Sequence, residues 1–109
     1  IEIIFDIKEK IFMEEKIISI ILNVLKNSAD DYEIEELKSA NKDTKLYSGL
    51  GGLLDSLALV SLITDLEESL ATELNIEITL ADEKMMSLRN SPFKDVQTLA
   101  QYIASQIKA

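Results

Sequence analysis

The chain of 109 residues is long enough for one domain with a modest core, and too short for a core that also encloses a deep active site. Its 20 acidic and 11 basic residues give a formal net charge of −9, which opposes non-specific binding to nucleic acid or to an anionic lipid surface and favours partners with basic patches. Because it contains no cysteine and no histidine, disulfides, cysteine-based zinc sites and a histidine general base are excluded, and any thiol or imidazole chemistry must come from another molecule.

The composition favours an all-α domain. Leucine and isoleucine dominate the apolar residues, aromatic residues make up 6% of the chain, and there is one proline. The longest apolar run, "IISIILNVL" at residues 17–25, is interrupted by Ser19 and Asn23 and is far shorter than the roughly 20 residues that span a bilayer. The N-terminal segment has no basic leader and no small-residue cleavage site. We therefore expect a cytoplasmic protein without stable membrane insertion.

A first helix is predicted around residues 13–28. Apolar residues at positions 18, 21, 22 and 25 recur at helical spacing, and Lys26 lies near the end, where the helix dipole favours a cation. Asn27 and Ser28 are predicted to end the helix. Further upstream, isoleucines at positions 3, 4, 7 and 11 fit a helical stripe, but "EIIFDI" fits a short strand equally well. We interpret residues 1–109 as a single domain in which 13–109 form the core and 1–12 are a possible N-terminal extension.

The next segment, residues 29–54, is polar and contains only isolated apolar side chains. A connection of this length is uncommon in a compact domain unless it is functional or contains a short helix, and "EIEELKS" can form one or two helical turns. We expect the loop to be held down by Ile34, Leu37, Leu46 and Tyr47.

A second helix is predicted to begin at Ser56 and to end near Asn75. It has one broad apolar face, and its acidic residues lie mostly elsewhere. The face consists of Leu59, Leu62, Ile63, Leu66, Leu70 and Leu74.

The C-terminal part predicts two more helices. Residues 76–79 are expected to be extended, and "LADEKMMSLRN" at residues 80–90 to form a short third helix that stops before Pro92, with Met85 and Met86 as core filler. Asp95 can cap a last helix with apolar residues at 96, 99, 103 and 107. The prediction is a small four-helix bundle, with three main helices, a short third helix and a long loop between the first two.

The most informative stretch is "GLGGLLDSLALV" at residues 49–60. Asp55 is predicted to cap the second helix by accepting from the backbone N–H groups of Leu57 and Ala58. The Ser56 hydroxyl then lies at the rim, beside the positive end of the helix dipole, where a phosphate is stabilised. The glycines do not form a P-loop, because no Lys-Ser or Lys-Thr follows them. Taken alone, Asp-Ser at this position can also be simple capping.

The order of motifs around Ser56 resembles the acyl and peptidyl carrier proteins. Residues 43–70, "DTKLYSGLGGLLDSLALVSLITDLEESL", are similar to the signature region of that family, and "NIEIT" and "DVQTLAQYI" continue the resemblance, which covers the chain from about Met13 onward. In that family the serine of D-S-L carries 4′-phosphopantetheine, which a separate magnesium-dependent transferase attaches from coenzyme A. The resemblance implies that Ser56 is this attachment point, with Asp55 as helix cap and transferase contact. It also implies that the attached 4′-phosphopantetheine supplies the thiol that the chain lacks, and that this thiol carries acyl or aminoacyl groups as thioesters.

The resemblance further implies a partner surface on the second helix. We expect it to comprise Leu57, Val60 and Ser61, supplemented electrostatically by Asp65, Glu67 and Glu68. Expected partners are the phosphopantetheinyl transferase, an acyl- or aminoacyl-loading ligase, condensing or acyl-transferring enzymes and a thioesterase. The protein is expected to act as a monomer in fatty-acid, polyketide or related lipid and secondary-metabolite biosynthesis, as a non-catalytic carrier that binds no nucleic acid.

One departure from the family leaves the pathway open. Fatty-acid carriers typically place acids just after the serine, whereas here Ala58 and Ser61 occupy those positions. The neutral surface looks more like stand-alone aminoacyl, D-alanyl or peptidyl carriers, while the net charge of −9 is similar to that of fatty-acid carriers.

Two functions of other classes remain as alternatives. In an unmodified helical adaptor, Asp55 and Ser56 would only cap the helix, and the acidic surface would dock a protein. A small hydrolase would use Ser56 as a nucleophile, but the chain has no histidine to deprotonate it.

Overall fold

Three α-helices dominate the residues that the structure, a computed structural model, describes: 2–78 and 92–106. They are α1 (Glu2–Tyr32), α2 (Ser56–Leu74) and α3 (Val96–Gln106). These ranges contain two isolated β-bridges and no strand, which confirms the all-α prediction. The predicted third helix at residues 80–90, with Met85 and Met86, lies outside the described residues, as do Thr79 and Ile107.

Helix α1 is longer than predicted at both ends. Its N-terminal part is helical, so the alternative of a short strand at "EIIFDI" is wrong. The prediction that Asn27 and Ser28 end the helix is also wrong, because Ser28 and Ala29 are buried and packing continues the helix through Tyr32. The helix then ends in a Schellman motif: Glu33 has a φ of 57°, its N–H donates to Asp30 O, and the Ile34 N–H donates to Ala29 O at 2.9 Å.

Helix α1 is also the centre of the packing. Both α2 and α3 pack against it, and among residues 7–32 the buried ones begin at Ile17. Met13 packs against the core, whereas residues 7–12 are exposed and project beyond it, with Ile7, Ile11 and Phe12 about half exposed. A helix of 31 residues at about 1.5 Å per residue is about 46 Å long. This length accounts for the long dimension of 47 Å.

Helix α2 agrees with its prediction. It begins at Ser56 and ends at Leu74, where Asn75 takes a left-handed conformation with a φ of 54°, which asparagine tolerates better than most residues. All residues of the predicted apolar face are buried except Leu74, which is half-buried and packs against the core.

The loop between α1 and α2 is held down as predicted. Leu37 and Leu46 are fully buried, and Ile34 and Tyr47 are partly buried against the core. The predicted turn in "EIEELKS" is a 3₁₀ helix, Glu35–Ser39. Lys38 ties this helix to the end of α1 through an ion pair with Asp30 at 3.2 Å, and hydrogen bonds to Asp30 and Glu35 raise the pKa of Lys38.

Within the described ranges, no helix combines the length and the apolar character needed to cross a bilayer.

Candidate functional site at the start of helix α2

The loop that leads into α2 is anchored on the start of α3. Four backbone hydrogen bonds join residues 42–47 to residues 93–97. They run from Leu46 N–H to Lys94 O (3.1 Å), Tyr47 N–H to Phe93 O (3.1 Å), Val96 N–H to Thr44 O (3.0 Å) and Gln97 N–H to Lys42 O (2.9 Å). The last two bonds engage N–H groups that a helix start leaves without an intrahelical partner. The starts of α2 and α3 are therefore connected by one hydrogen-bonded frame.

The glycines close this frame into a tight turn. The Leu54 N–H donates to Leu46 O and the Ser48 N–H donates to Leu54 O, both at 2.7 Å. A Cβ on Gly52 would lie 2.5 Å from Leu46 O and 2.7 Å from Leu46 N, so the two segments can approach this closely only with glycine there. Gly51 has a φ of 85°, in the left-handed region. Gly51 and Gly52 therefore allow the tight turn that precedes α2.

Asp55 caps α2. Its backbone is extended, with a φ of −73° and a ψ of 178°, and its Oδ1 accepts from the Ala58 N–H at 2.8 Å. The predicted cap is therefore confirmed, with Ala58 rather than both Leu57 and Ala58 as the donor. The first helical bond runs from the Leu59 N–H to Asp55 O at 2.9 Å.

Ser56 is the first residue of α2, and its side chain is exposed. Its Oγ lies 3.4 Å from the Tyr47 hydroxyl oxygen, and either hydroxyl can be the donor. The N–H groups of the first helical turn and the aligned peptide dipoles favour negative charge at this position. The serine oxygen is therefore accessible to another protein and lies where an attached anion is electrostatically favourable.

An apolar surface adjoins Ser56. Leu57 is 81% exposed, and Val60 and Leu53 are also exposed. An open groove of about 410 Å³ borders this surface, and we call it the Leu57 groove. Its lining residues are Tyr32, Ile34, Ser48, Leu53, Asp55, Leu57, Ala58 and Ser61. Burial of a side chain as exposed as Leu57 against a partner stabilises the complex.

The predicted partner residues fall on two adjoining stripes of α2. Leu57, Ser61, Asp65 and Glu68 follow one another at spacings of three or four residues, so they lie on one face. Val60 and Glu67 lie seven residues apart on a neighbouring stripe. Leu57 and Ser61 line the Leu57 groove.

The acidic residues border a different groove. Asp65 and Glu68, with Asp31 and Glu73, contribute to a groove of about 480 Å³ between α1 and α2. The structure thus separates an apolar surface beside Ser56 from an acidic surface about two turns further along α2. Within the described ranges, no group of three or more acidic side chains is arranged to hold a metal ion.

Two features of the site were not predicted from the sequence. Tyr47 was expected only to hold the loop down, yet its hydroxyl oxygen lies 3.4 Å from Ser56 Oγ. Leu53 was not singled out, yet it lies exposed beside Leu57 in the groove. No local signal identifies either contact, because both depend on how the loop folds back on the start of α3.

Comparisons of the chain with family models, with curated proteins and with solved structures return no match.

Proposed function

We propose that this chain is a carrier protein, in which Ser56 bears a 4′-phosphopantetheine group and presents cargo to enzymes. We also propose that the chain belongs to the acyl and peptidyl carrier family. As in the sequence-based prediction, residues 80–90 would form a fourth, short helix. The single carrier domain would act as a monomer in the cytoplasm.

The observation that supports this function most is the position of the Ser56 oxygen. It is exposed on the first turn of α2, immediately after a capping aspartate and on a frame fixed by backbone hydrogen bonds. An enzyme that modifies a protein side chain needs the acceptor atom accessible and held in a constant place.

The residues around Ser56 also fit a covalently attached phosphodiester. Residues 56–59 carry no charged side chain, and the Asp55 carboxylate is turned toward the Ala58 N–H. The helix start supplies a favourable field for the phosphate charge. Ser56 would hold the group covalently, and the first turn of α2 would stabilise its charge.

When attached, the group supplies the thiol that this chain lacks, and that thiol carries acyl or aminoacyl groups as thioesters. The chain's own residues position Ser56 and meet the partners. We assign these residues no acid-base step, because the chain has no histidine and the Asp55 carboxylate accepts from the Ala58 N–H rather than from Ser56. The protein is thus a substrate of enzymes and not an enzyme itself.

The surface next to Ser56 suggests how partners dock. Leu57, Val60 and Ser61 offer an apolar and neutral contact, which supplies binding energy by burial. Asp65, Glu67 and Glu68 add negative charge further along α2, which raises encounter rates with basic partners. Partners of this kind are the magnesium-dependent transferase, an acyl- or adenylate-forming ligase, a condensing or acyl-transferring enzyme and a thioesterase.

The neutral first turn favours aminoacyl, D-alanyl or peptidyl cargo, whereas the net charge of −9 is similar to that of fatty-acyl carriers. The two uses differ in what the bundle must bind. A long acyl chain that enters the bundle stabilises the folded state and raises the melting temperature of the loaded protein. An aminoacyl group leaves the melting temperature unchanged. Thermal unfolding of the loaded and unloaded protein therefore separates the two classes of cargo.

Incubation with coenzyme A, Mg²⁺ and a broad-specificity transferase, followed by intact mass measurement, tests the function directly. We expect the wild-type chain to gain the mass of one phosphopantetheine group and Ser56→Ala to gain nothing. Ser61→Ala is the matched control, since it removes an exposed hydroxyl from the same helix and leaves Ser56 in place. A wild-type chain without a mass gain would contradict the carrier function and favour the unmodified adaptor.

A further inference from the structure

We propose that Tyr47 is a positioning residue for the modification of Ser56, because its hydroxyl favours the Ser56 side-chain rotamer in which Oγ can attack the phosphorus of coenzyme A. This inference rests on the proposed function and assigns a role to a residue nine positions before the modified serine. The contact that carries it is the 3.4 Å distance between the two hydroxyl oxygens.

Backbone hydrogen bonds and packing hold Tyr47 in place. Its N–H donates to Phe93 O at 3.1 Å, and its carbonyl oxygen accepts from the Gly52 N–H at 2.8 Å. The preceding residue Leu46 and the β-bridge partner Leu54 are fully buried, and the Tyr47 ring packs against the same core. A tyrosine held on both sides in this way presents its hydroxyl from a nearly constant position.

Ser56, by contrast, is a small exposed side chain at the start of a helix. An exposed serine can occupy three staggered χ1 rotamers. The neighbouring Asp55 carboxylate does not fix the rotamer, because its Oδ1 accepts from the Ala58 N–H. The Tyr47 hydroxyl supplies a hydrogen bond in the rotamer that the structure shows.

The length of this contact determines how strong the preference is. Hydrogen bonds between hydroxyl groups are usually about 2.7–2.8 Å long, so a contact of 3.4 Å is weak. It biases the rotamer population without locking it. A hydroxyl has one proton and two lone pairs, so Tyr47 can donate to Ser56 Oγ while the Ser56 proton stays available to a base.

That direction of donation suits the attachment reaction. Ser56 Oγ forms a bond to the pantetheine-side phosphorus of coenzyme A, and the bond from that phosphorus to the bridging oxygen of the pyrophosphate breaks. Adenosine 3′,5′-bisphosphate leaves with the electron pair of that bond. The Ser56 proton passes to a base on the transferase or to water. Tyr47 keeps its proton throughout and acts only on the orientation of Oγ.

The inference predicts a specific kinetic defect in Tyr47→Phe, which removes the hydroxyl and keeps the ring. If one of three rotamers is productive, loss of the preference lowers kcat of the transferase for this carrier by up to about threefold. KM for the carrier should stay the same, because Leu57 and the rest of the docking surface are unchanged. Tyr102→Phe is the matched control, since Tyr102 lies on α3, is not among the residues lining the Leu57 groove, and the substitution removes the same atom.

A second measurement on the unmodified protein reports the rotamer itself. The three-bond couplings between Hα and the two Hβ protons of Ser56, measured by NMR, should show one rotamer populated above the other two in the wild type and in Tyr102→Phe. In Tyr47→Phe they should approach the averaged values of a freely rotating side chain. This readout does not depend on any transferase.

The two measurements separate failure of this inference from failure of the proposed function. Averaged Ser56 couplings together with a lower kcat in Tyr47→Phe support the inference. Unchanged couplings overturn it, whether or not the rate falls, and the carrier function stands as long as the wild-type chain is modified. A wild-type chain that is never modified contradicts the function. Equal melting temperatures of Tyr47→Phe and the wild type verify that a lower rate does not come from loss of fold.

Discussion

At the scale of single residues, one glycine decides whether the loop before α2 can close. Residues 46 and 52 approach so closely that any Cβ at position 52 would meet the Leu46 backbone. The sequence places glycines before Asp-Ser and lacks the lysine of a P-loop, but it does not show which glycine the turn requires. That requirement depends on contacts between residues that are six positions apart.

Gly52→Ala is therefore expected to lower the free energy of unfolding by about 1–3 kcal/mol, the usual cost of forcing an additional methyl group into a packed site. The measurement is urea unfolding followed by circular dichroism. Gly51→Asn is the control, because a Cβ there meets only the Lys45 side chain at an ordinary contact distance of 3.8 Å, and asparagine tolerates the left-handed conformation. Equal stabilities of Gly52→Ala and Gly51→Asn would contradict the close approach.

Asp55 combines two roles that substitutions can separate. Asp55→Ala removes the cap and is expected to cost about 1 kcal/mol in unfolding free energy. Asp55→Asn keeps an oxygen that can accept from the Ala58 N–H, so it should retain nearly all of the stability. If Asp55 also contacts the transferase through its charge, Asp55→Asn should be modified more slowly than the wild type. A normal modification rate in Asp55→Asn would restrict the residue to capping.

At the scale of the elements, helix bounds were predicted correctly where several local sequence signals agree, and wrongly where packing overrides a local signal. The bounds of α2 were predicted because the capping Asp55 and an unbroken apolar stripe that stops at Leu74 agree. The end of α1 was misplaced because Asn27 and Ser28 read as helix-ending residues, whereas burial of Ser28 and Ala29 overrides that preference.

The same limit applies to the site. Asp55 and Ser56 are local features of a helix start and were predicted. The Tyr47 contact and the exposure of Leu53 arise from pairing between the loop and the start of α3, about 50 residues later in the chain. No periodicity encodes that pairing.

Helix α1 should differ sharply in its tolerance to substitution along its length. Ile21 is fully buried, so Ile21→Ala is expected to cost about 2–5 kcal/mol in unfolding free energy. Ile11 lies on the same helix but is 51% exposed, so Ile11→Ala should change stability by less than about 0.5 kcal/mol. Chemical denaturation of the two variants gives the comparison. A large loss in Ile11→Ala would show that the projecting part of α1 is covered in solution.

At the scale of the whole molecule, charge and apolar surface have separate consequences. The net charge of −9 acts over distances comparable to the Debye length of about 8 Å at physiological salt, whereas the exposed Leu57 acts only on contact. The separation of the apolar surface from Asp65 and Glu68 allows each contribution to be removed alone.

Association with the transferase should reveal this division. Asp65→Asn combined with Glu68→Gln is expected to lower the association rate at low salt and to have little effect at high salt, since added ions already screen the charges. Leu57→Ala should weaken binding similarly at all salt concentrations. Stopped-flow or surface-binding kinetics across a salt series measures both. If the effect of Leu57→Ala depended on salt concentration, the apolar and electrostatic contributions would not be separate.

The most direct test of the account is the location of the modification within the chain. After incubation with coenzyme A and a transferase, peptide fragmentation by tandem mass spectrometry identifies the residue that carries the added group. We predict a single phosphopantetheine on Ser56, within the peptide that contains "LLDSLALV". A group found on any other residue, or an unmodified Ser56 peptide after complete reaction, would contradict it.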